Sequence, residues 1–287
     1  MFLLNTELGE YKVVSHVADG KDTIIYRAMH ERSAFEVAIK VLKPEKADVR
    51  SRIKQLVNEA SILRGLSHPN IIRFLNLKKF YKPPYLVLEY FPSRNLKQRI
   101  VQRDEIVRFR AMRIIMQVCS ALDYLHSQGI LHKDIKSENI LVSNAGEVRL
   151  IDFAIAEKIR FRLGRAISRR MTRVQGTRTY IAPEQIRGSQ LDARADIYAL
   201  GVTMYEMITG KPPFTSVEAS MVLFHHLRTQ PKSMRLTAPE VTEEFDEIVL
   251  WTLNKDPDKR PQCASELMAK LGNVKIFSQS PAVGEGI

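Results

Sequence analysis

Cysteine is scarce in this sequence, which contains only Cys119 and Cys263 in 287 residues. Two distant cysteines do not indicate a disulfide framework, and Cys119 lies on the apolar face of a helical pattern, as a buried structural thiol does. The seven histidines do not cluster with cysteine or carboxylate side chains at zinc-ligand spacing. We therefore expect a protein of the reducing cytoplasm, with no disulfide or zinc framework indicated.

Long apolar runs are missing as well. No run reaches the length that spans a bilayer, and the N-terminus lacks a basic segment followed by an apolar one, so we expect no membrane span and no secretory leader. The composition, 45% hydrophobic and 26% charged, is that of an ordinary globular protein. At this length a single hydrophobic core stops growing, and two lobes are expected.

Acidic residues are in the minority, with 32 against 44 lysines and arginines and a net charge of +12. Such a balance favours anionic partners, among them phosphates, nucleic acid, an acidic protein surface or an anionic membrane face. The alternative is a solvated basic surface with no dedicated partner. Net charge alone does not separate these alternatives.

Hydrophobic periodicity divides the chain into two parts of different structure. Residues 1–91 show short β-rich runs and one helical pattern, which predict a lobe of five strands and one helix. Residues 92–275 are mainly helical and include an apolar helix over Ile197–Ile208 that we expect to be buried. Residues 276–287 are predicted to form a flexible tail. The predicted fold class is α+β.

The polar stretch His132–Asn139 stands between two apolar elements. A helical pattern ends before it at Gly129, and a strand-like run, Ile140–Val142, starts directly after it. A loop held between buried elements is a rigid place for catalytic groups. Taken alone, the stretch is also compatible with an ordinary polar turn.

Four motifs along the chain, one of them within this loop, favour the catalytic interpretation. They read Val37-Ala38-Ile39-Lys40, His132-Lys133-Asp134 followed by Asn139, Asp152-Phe153-Ala154, and Ala182-Pro183-Glu184. In order and spacing they resemble the signature set of the protein kinases, and the similarity runs from Tyr11 to Leu271. The resemblance implies a bilobal fold with a small β-rich N-lobe, a larger, mainly helical C-lobe, and ATP bound between them.

The resemblance also implies a set of nucleotide and metal sites. Lys40, held by Glu59, would contact the α- and β-phosphates of ATP, while Asp152 and Asn139 would bind Mg²⁺. Adenine would meet the backbone of the connector between the lobes. The full set of expected nucleotide-binding residues is Lys40, Glu59, Gly20, Ala38, Glu89, Phe91 and Leu141.

Catalysis is assigned by the same resemblance to the polar loop. Asp134 would accept the proton of the substrate hydroxyl, and Lys136 would neutralise charge on the transferring phosphoryl group. Thr177, in Gly176-Thr177, would bridge these two side chains in the substrate-binding loop, as in the serine/threonine-directed branch. The chain resembles the eukaryotic-like serine/threonine kinases found in bacteria.

The sequence departs from the kinase pattern at several positions. The phosphate-covering loop keeps only Gly20, with Ala18 and Thr23 in the outer glycine places, and the β-branched Thr23 restricts the backbone. Ala154 replaces the glycine that usually follows Phe153. Lys133 replaces an arginine and lacks the bidentate fork that grips a phosphorylated loop. These departures support an alternative, a pseudokinase that binds nucleotide or a partner without phosphotransfer.

The segment between Asp152 and Glu184 is strongly basic, with eight lysines and arginines against three carboxylates. We expect phosphorylation to order it, with Thr172 as the first candidate and Ser168 and Thr179 as the others. The segment could instead recruit an acidic protein or an anionic lipid, or simply be a solvated, mobile loop. Nothing resembles a nucleic-acid-binding fold, so nucleic acid is not an expected partner.

Overall fold

The structure is a computed structural model that describes residues 6–43, 49–162, 165–167 and 177–279. The chain divides into two compact units. The first comprises Met1–Pro92 together with Asp152–Ile155, and the second comprises Ser93–Ile151 and Ala156–Ile287. The first boundary lies next to the predicted one, but the four residues from Asp152 belong to the first unit rather than to the second.

The first unit is built on an antiparallel sheet of six strands in the order β1-β2-β3-β4-β6-β5. The strands are β1 (Glu7–Leu8), β2 (Tyr11–Asp19), β3 (Thr23–His30), β4 (Glu36–Leu42), β5 (Phe74–Lys78) and β6 (Tyr85–Glu89). One helix, α1 (Val49–Leu63), accompanies them. The sequence predicts five strands, and the additional one is the two-residue β1, which is too short to show an alternating pattern.

Strand β4 shows how sequence alternation positions a functional side chain. Val37, Ile39 and Val41 are buried and belong to the hydrophobic core of this unit. Because successive side chains of a strand point to opposite faces, Lys40 points away from that core. Its backbone pairs with Leu86 on β6, so both neighbours of β4 hold the lysine in register.

The second unit is mainly helical. Its helices are α2 (Leu96–Val101), α3 (Glu105–Phe109), α4 (Ala111–Ser127), α5 (Pro183–Ile186), α6 (Ala193–Thr209), α7 (Ala219–Arg228), α8 (Glu243–Thr252) and α9 (Ala264–Leu271). Short strands connect them: β7 (Arg94–Asn95), β8 (Ile130–Leu131), β9 (Ile140–Val142), β10 (Val148–Leu150), β11 (Glu157–Lys158), β12 (Arg160–Arg162) and β13 (Arg165–Ile167). The secondary structure of the two units, one built on a sheet and the other mainly helical, agrees with the predicted α+β class.

Helix α6 is the buried centre of the second unit. Asp192 caps its first turn by accepting a hydrogen bond from the Arg194 N–H, and Gly210 ends it in the left-handed conformation at φ +79°. Every residue from Arg194 to Met207 is buried, as the apolar run over Ile197–Ile208 predicts. The second unit therefore has a buried central helix that fixes the position of its polar side chains.

A buried ion pair joins two distant parts of the chain in the second unit. The Arg260 guanidinium donates from Nη1 to Glu184 Oε1 at 2.8 Å and from Nη2 to Oε2 at 2.9 Å. Both side chains are buried, so the bidentate geometry offsets the cost of removing two charges from water.

The chain end differs from its prediction. Ile276 is buried, Phe277 bridges Val241, and the Ser278 N–H donates to the Glu240 carbonyl at 2.9 Å. Residues 276–279 are therefore part of the folded unit, contrary to the prediction of a tail from 276 onward. Residues 280–287 lie outside the described part of the chain.

The two cysteines are both free thiols. Cys119 is buried on α4, where burial raises the pKa of its thiol to about 12, whereas Cys263 is exposed. None of the helices in the described ranges is both long and apolar enough to cross a membrane.

Substitution of Gly201 tests the packing of α6. A Cβ atom there would lie 2.0 Å from Thr252 Oγ1 and 2.9 Å from Thr252 Cβ, on the neighbouring helix α8. We expect Gly201→Ala to lower the free energy of unfolding by roughly 3 kcal/mol, because the buried core cannot yield. The chain's single tryptophan, Trp251, directly precedes Thr252, and its fluorescence reports unfolding in urea.

Gly272→Ala is the matched control, because a Cβ there meets its nearest atom, the Met268 carbonyl oxygen, at 3.4 Å. This variant should unfold within about 1 kcal/mol of the parent. Equal stabilities of the two variants would contradict the assignment of Gly201 as a close-packing position.

Candidate active site

Lys40 is held by two carboxylates of the first unit. Its Nζ donates to Glu59 Oε2 at 2.7 Å and to Asp152 Oδ1 at 2.9 Å. Burial alone would lower the pKa of a lysine, but the charges of Asp152 and Glu59 outweigh it and raise the pKa of Lys40 above its ordinary value. The lysine is therefore a fixed positive charge. The predicted pairing of Lys40 with Glu59 is present, and Asp152 joins it.

Helix α1 supplies the partners of this lysine and of the segment after Asp152. Glu59 is buried, and burial raises the pKa of its carboxyl although Lys40 opposes the rise. The preceding residue, Asn58, donates from Nδ2 to the Ala154 carbonyl at 3.2 Å. Asp152 itself adopts a left-handed backbone at φ +67°, which is uncommon outside glycine and is typical of functional sites.

The loop between β2 and β3 is a tight turn around Gly20. The Gly20 N–H donates to the Thr23 carbonyl at 2.9 Å, and a Cβ on Gly20 would lie 2.9 Å from Thr23 Oγ1. Gly20, which is the glycine that this loop retains, therefore stands where a side chain would collide with Thr23. Ala18 and Thr23 are strand positions that pair with Ile25 and Leu42 respectively, and Ala18 directly follows a register shift in β2.

The other residues predicted to bind nucleotide lie on strands or directly after one. Ala38 is opposite Leu88 across β4 and β6. At the end of β6 the Glu89 N–H donates to the Arg73 carbonyl, and the Arg73 N–H donates to the Glu89 carboxylate. Phe91 is half-buried two residues later. Leu141 lies on β9 of the second unit, half-buried and opposite Arg149.

The predicted catalytic residues converge on one carboxylate in the second unit. Asp134 Oδ2 accepts from Lys136 Nζ at 2.7 Å and from Asn139 Nδ2 at 3.1 Å. Asp134 Oδ1 accepts from both the backbone N–H and the hydroxyl of Thr177 at 3.0 Å. Lys136 also donates to Thr177 Oγ1 at 2.8 Å, which closes a triangle of three side chains.

Asp196, at the start of α6, fixes the backbone of this loop. Its carboxylate accepts the N–H groups of His132 at 2.9 Å and Lys133 at 2.8 Å, and it pairs with His126 at 3.0 Å. Burial would raise its pKa, but hydrogen bonds from His126 and the His132 backbone hold the pKa below its ordinary value. The loop is therefore anchored to the buried centre of its unit by an ionised carboxylate.

A buried polar cluster next to the loop was not predicted. Glu206 of α6 is fully buried and accepts from Ser137 Oγ at 2.7 Å and Tyr180 Oη at 2.6 Å. Lys97 of α2 supplies the opposite charge. The cluster ties Ser137, adjacent to Lys136, to the segment that carries Thr177. A glutamate inside the apolar run Ile197–Ile208 was the available sequence signal.

His226 of α7 holds the same segment from another side. Its Nε2 lies 3.0 Å from the Thr179 carbonyl and its Nδ1 lies 2.9 Å from the Tyr198 hydroxyl. A neutral imidazole that donates from Nε2 and accepts at Nδ1 satisfies both contacts. Burial lowers the pKa of His226 to about 4.

The two predicted metal ligands carry suitable oxygen atoms. Asp152 offers a carboxylate in the first unit. In the second unit, the Asn139 amide nitrogen is committed to Asp134, which leaves Oδ1 to face a cation. Among the described residues no group of three or more His, Cys, Asp and Glu side chains could hold a metal alone. Mg²⁺ in phosphoryl-transfer sites takes one or two protein ligands and completes its shell with substrate phosphates and water.

The predicted phosphorylation sites fall mostly outside the described residues. Ser168 and Thr172 lie there, and phosphorylation of either stays a prediction. Thr179 is half-buried in a short 3₁₀ turn. Lys133, which stands where kinases usually carry arginine, donates from Nζ to Glu157 Oε2 at 3.0 Å at the beginning of the basic segment.

Comparison with known proteins agrees with this geometry. Residues 11–271 match the protein kinase domain family. The chain is 35% identical over 272 residues to the serine/threonine-protein kinase PknB of Mycolicibacterium smegmatis, covering 92% of this chain and 42% of that protein. It is 33% identical over 263 residues to a probable serine/threonine-protein kinase of Streptomyces coelicolor, covering 90% and 39% respectively.

The chain therefore belongs to the protein kinase family, and its resemblance to eukaryotic-like serine/threonine kinases of bacteria is confirmed. Kinases of this family use ATP with a divalent metal ion. The chain spans about two fifths of the length of these relatives, as their covered shares of 42% and 39% show.

The buried neutral His226 predicts a stability loss in acid. In the unfolded chain a histidine takes up its proton near pH 6.5, whereas the folded chain resists protonation down to about pH 4. The unfolded state therefore binds more protons between these values, and stability falls as the pH falls. The wild-type chain should lose on the order of 3 kcal/mol more than the His226→Gln variant across this window.

Urea unfolding at a series of pH values from 4 to 7 measures this difference. Comparing the two proteins at each pH removes the contribution of the carboxylates, which both share. Parallel stability curves would contradict the neutral, buried state of His226.

Proposed function

We propose that this chain transfers the γ-phosphoryl group of ATP to a serine or threonine hydroxyl of a protein. The observation that carries the proposal is the hydrogen-bonded triangle of Asp134, Lys136 and Thr177. A decayed site has no need to keep all three side chains in contact, and the charged Lys40 is preserved in the first unit as well.

The chemistry follows from these side chains. The substrate hydroxyl oxygen forms a bond to the γ-phosphorus as the bond from that phosphorus to the β,γ-bridging oxygen breaks, and the hydroxyl proton passes to Asp134. Lys136 Nζ lies 2.7 Å from Asp134 Oδ2, which places the lysine beside the position where the transferring group becomes negative. Lys40, which its carboxylate partners keep protonated, binds the non-transferred phosphates of ATP.

We propose Mg²⁺ as the metal ion, with the Asp152 carboxylate as a ligand of one ion and the Asn139 amide oxygen as a ligand of a second. Hard carboxylate and carbonyl oxygens are the ligands that this ion prefers. When bound, Mg²⁺ neutralises charge on the phosphates.

Regulation, partners and location are proposed on the sequence. The eight basic side chains from Lys158 to Arg178 would pair with phosphate on Ser168, Thr172 or Thr179, or with an acidic partner. Two free cysteines, one of them exposed, fit the reducing cytoplasm.

Replacement of Asp134 tests the catalytic assignment. Purified wild-type chain with Mg-ATP should label itself or a generic basic protein, and Asp134→Asn should lower that rate about 10³-fold, because the hydroxyl proton loses its acceptor. Phosphopeptide mass spectrometry of the product locates the phosphate and so tests Ser168, Thr172 and Thr179.

A fluorescent ATP analogue should bind both proteins equally, because Lys40 and its partners are unchanged. The pseudokinase alternative is correct if the wild-type chain transfers no phosphate and the Asp134→Asn variant behaves identically while both bind the analogue.

Thr177 tests whether the bridge between Asp134 and Lys136 matters for turnover. Thr177→Val keeps the side-chain shape but removes the hydroxyl that donates to Asp134 and accepts from Lys136. We expect kcat to fall roughly 10²-fold with little change in the KM for ATP. Thr177→Ser, the matched control, retains the hydroxyl and most of the activity. Equal losses in both variants would show that the methyl packing of Thr177 matters rather than its hydrogen bonds.

A further inference from the structure

One residue at the end of strand β4, Lys43, ties down the loop between β2 and β3. The Lys43 N–H donates to the Asp22 carbonyl at 3.0 Å, and its Nζ donates to the Gly20 carbonyl at 2.8 Å. The same Nζ lies 3.3 Å from Asp19 Oδ1. The backbone and the side chain of a single lysine therefore hold residues on both sides of the turn.

Asp19 brings a negative charge to this loop. In kinases the corresponding loop covers the phosphates of ATP, so an uncompensated carboxylate there repels the nucleotide. Asp19 Oδ1 faces Lys43, and Oδ2 lies 2.8 Å from His16 Nε2. Because the pair of Lys43 and Asp19 is partly exposed, it adds little to the stability of the fold. Its effect is expected on a bound phosphate rather than on folding.

The backbone of Lys43 is itself fixed by helix α1. Its carbonyl accepts from Arg52 Nη1 at 3.0 Å, and Arg52 is buried. Arg52 and Glu59 are seven positions apart, close to two helical turns, so both lie on the same face of α1. That face holds the backbone of Lys43 at one point and the ammonium of Lys40 at another. The loop and the lysine expected to bind the phosphates thus have a common support.

We propose that Lys43 is a positioning residue for ATP, which holds the loop between β2 and β3 through the Gly20 carbonyl and offsets the charge of Asp19. A glycine-rich loop owes its shape to a permissive backbone, whereas this loop has Ala18 and Thr23 in the outer glycine places. Contacts of a side chain take over that task. The loop is set before the nucleotide arrives, so binding costs less ordering.

The role of Lys43 in turnover rests on the proposed function, whereas its role in holding nucleotide requires only that ATP binds. Lys43→Met tests both, because methionine keeps most of the side-chain length and removes the ammonium. Binding of N-methylanthraniloyl-ATP with Mg²⁺ to the whole chain is followed by fluorescence, and turnover is followed on a generic basic protein. We expect the Kd of the analogue and the KM for ATP to rise roughly tenfold, with kcat within about twofold of the parent.

Three further variants separate this role from a purely structural one. Lys43→Arg keeps a donor and a positive charge, so both constants should stay within about threefold of the parent. Lys12→Met removes an exposed lysine of β2 in the same sheet and is the matched control that should leave both constants unchanged. In an Asp19→Asn background, Lys43→Met should raise the Kd only about threefold, because the carboxylate that repels the phosphates is gone.

The proposal is overturned if the wild-type chain does not bind the analogue, if Lys43→Met leaves the Kd unchanged, or if Lys43→Arg fails to restore it. It is also overturned if Lys12→Met weakens binding as much, if Asp19→Asn leaves the effect of Lys43→Met undiminished, or if kcat falls while the KM and the Kd do not change. A wild-type chain that binds the analogue but transfers no phosphate, with binding weakened tenfold in Lys43→Met, would retain the positioning role and reject the proposed activity.

Discussion

The carboxylate of Asp196 is the constraint on which the catalytic loop depends. Two consecutive backbone N–H groups, those of His132 and Lys133, point at the same side chain. Consecutive N–H groups of a strand point in opposite directions and cannot do this, and Lys133 has a left-handed backbone at φ +69°. Such a conformation in a non-glycine residue costs about 1–3 kcal/mol, which the two hydrogen bonds to an ionised, buried acceptor offset. The bend in the chain at Lys133 places Asp134 where Lys136, Asn139 and Thr177 all reach it.

Two layers of side chains surround Asp134. The inner layer consists of Lys136, Asn139 and Thr177, which form hydrogen bonds with Asp134. The outer layer is the Glu206 cluster and His226, which hold Ser137, Thr179 and Tyr180. Within the described part of the chain, neither Glu206 nor His226 forms a hydrogen bond with Asp134. Both layers are attached to buried helices of one unit, so the loop and the segment carrying Thr177 share a common support. Rigid support of this kind limits how far catalytic groups can drift from a working geometry.

The sequence predicted the inner layer better than the outer one, for a physical reason. Asp134, Lys136 and Asn139 lie within six positions of one another, so one motif of the kinase resemblance contains all three. Ser137 and Glu206 are separated by 69 positions, and Thr179 and His226 by 47, so only the fold brings them together. The prediction also missed strand β1, because a strand of two residues cannot display an alternating pattern. The glycine-poor loop after β2 is explained by the strands, since Ala18 and Thr23 are paired positions that need no special backbone.

The Lys133–Glu157 contact changes what a phosphate on the basic segment could achieve. In a kinase with an unpaired arginine before the catalytic aspartate, a phosphate meets a cation that has no partner, and the whole attraction is new. Here the cation already has an anion 3.0 Å away, supplied by the chain itself. An incoming phosphate would exchange with Glu157, so only the difference between a double and a single negative charge is gained. The unmodified segment is already tethered at its beginning by this ion pair. The free-energy difference between the unphosphorylated and phosphorylated states is therefore smaller than in a kinase whose arginine has no partner.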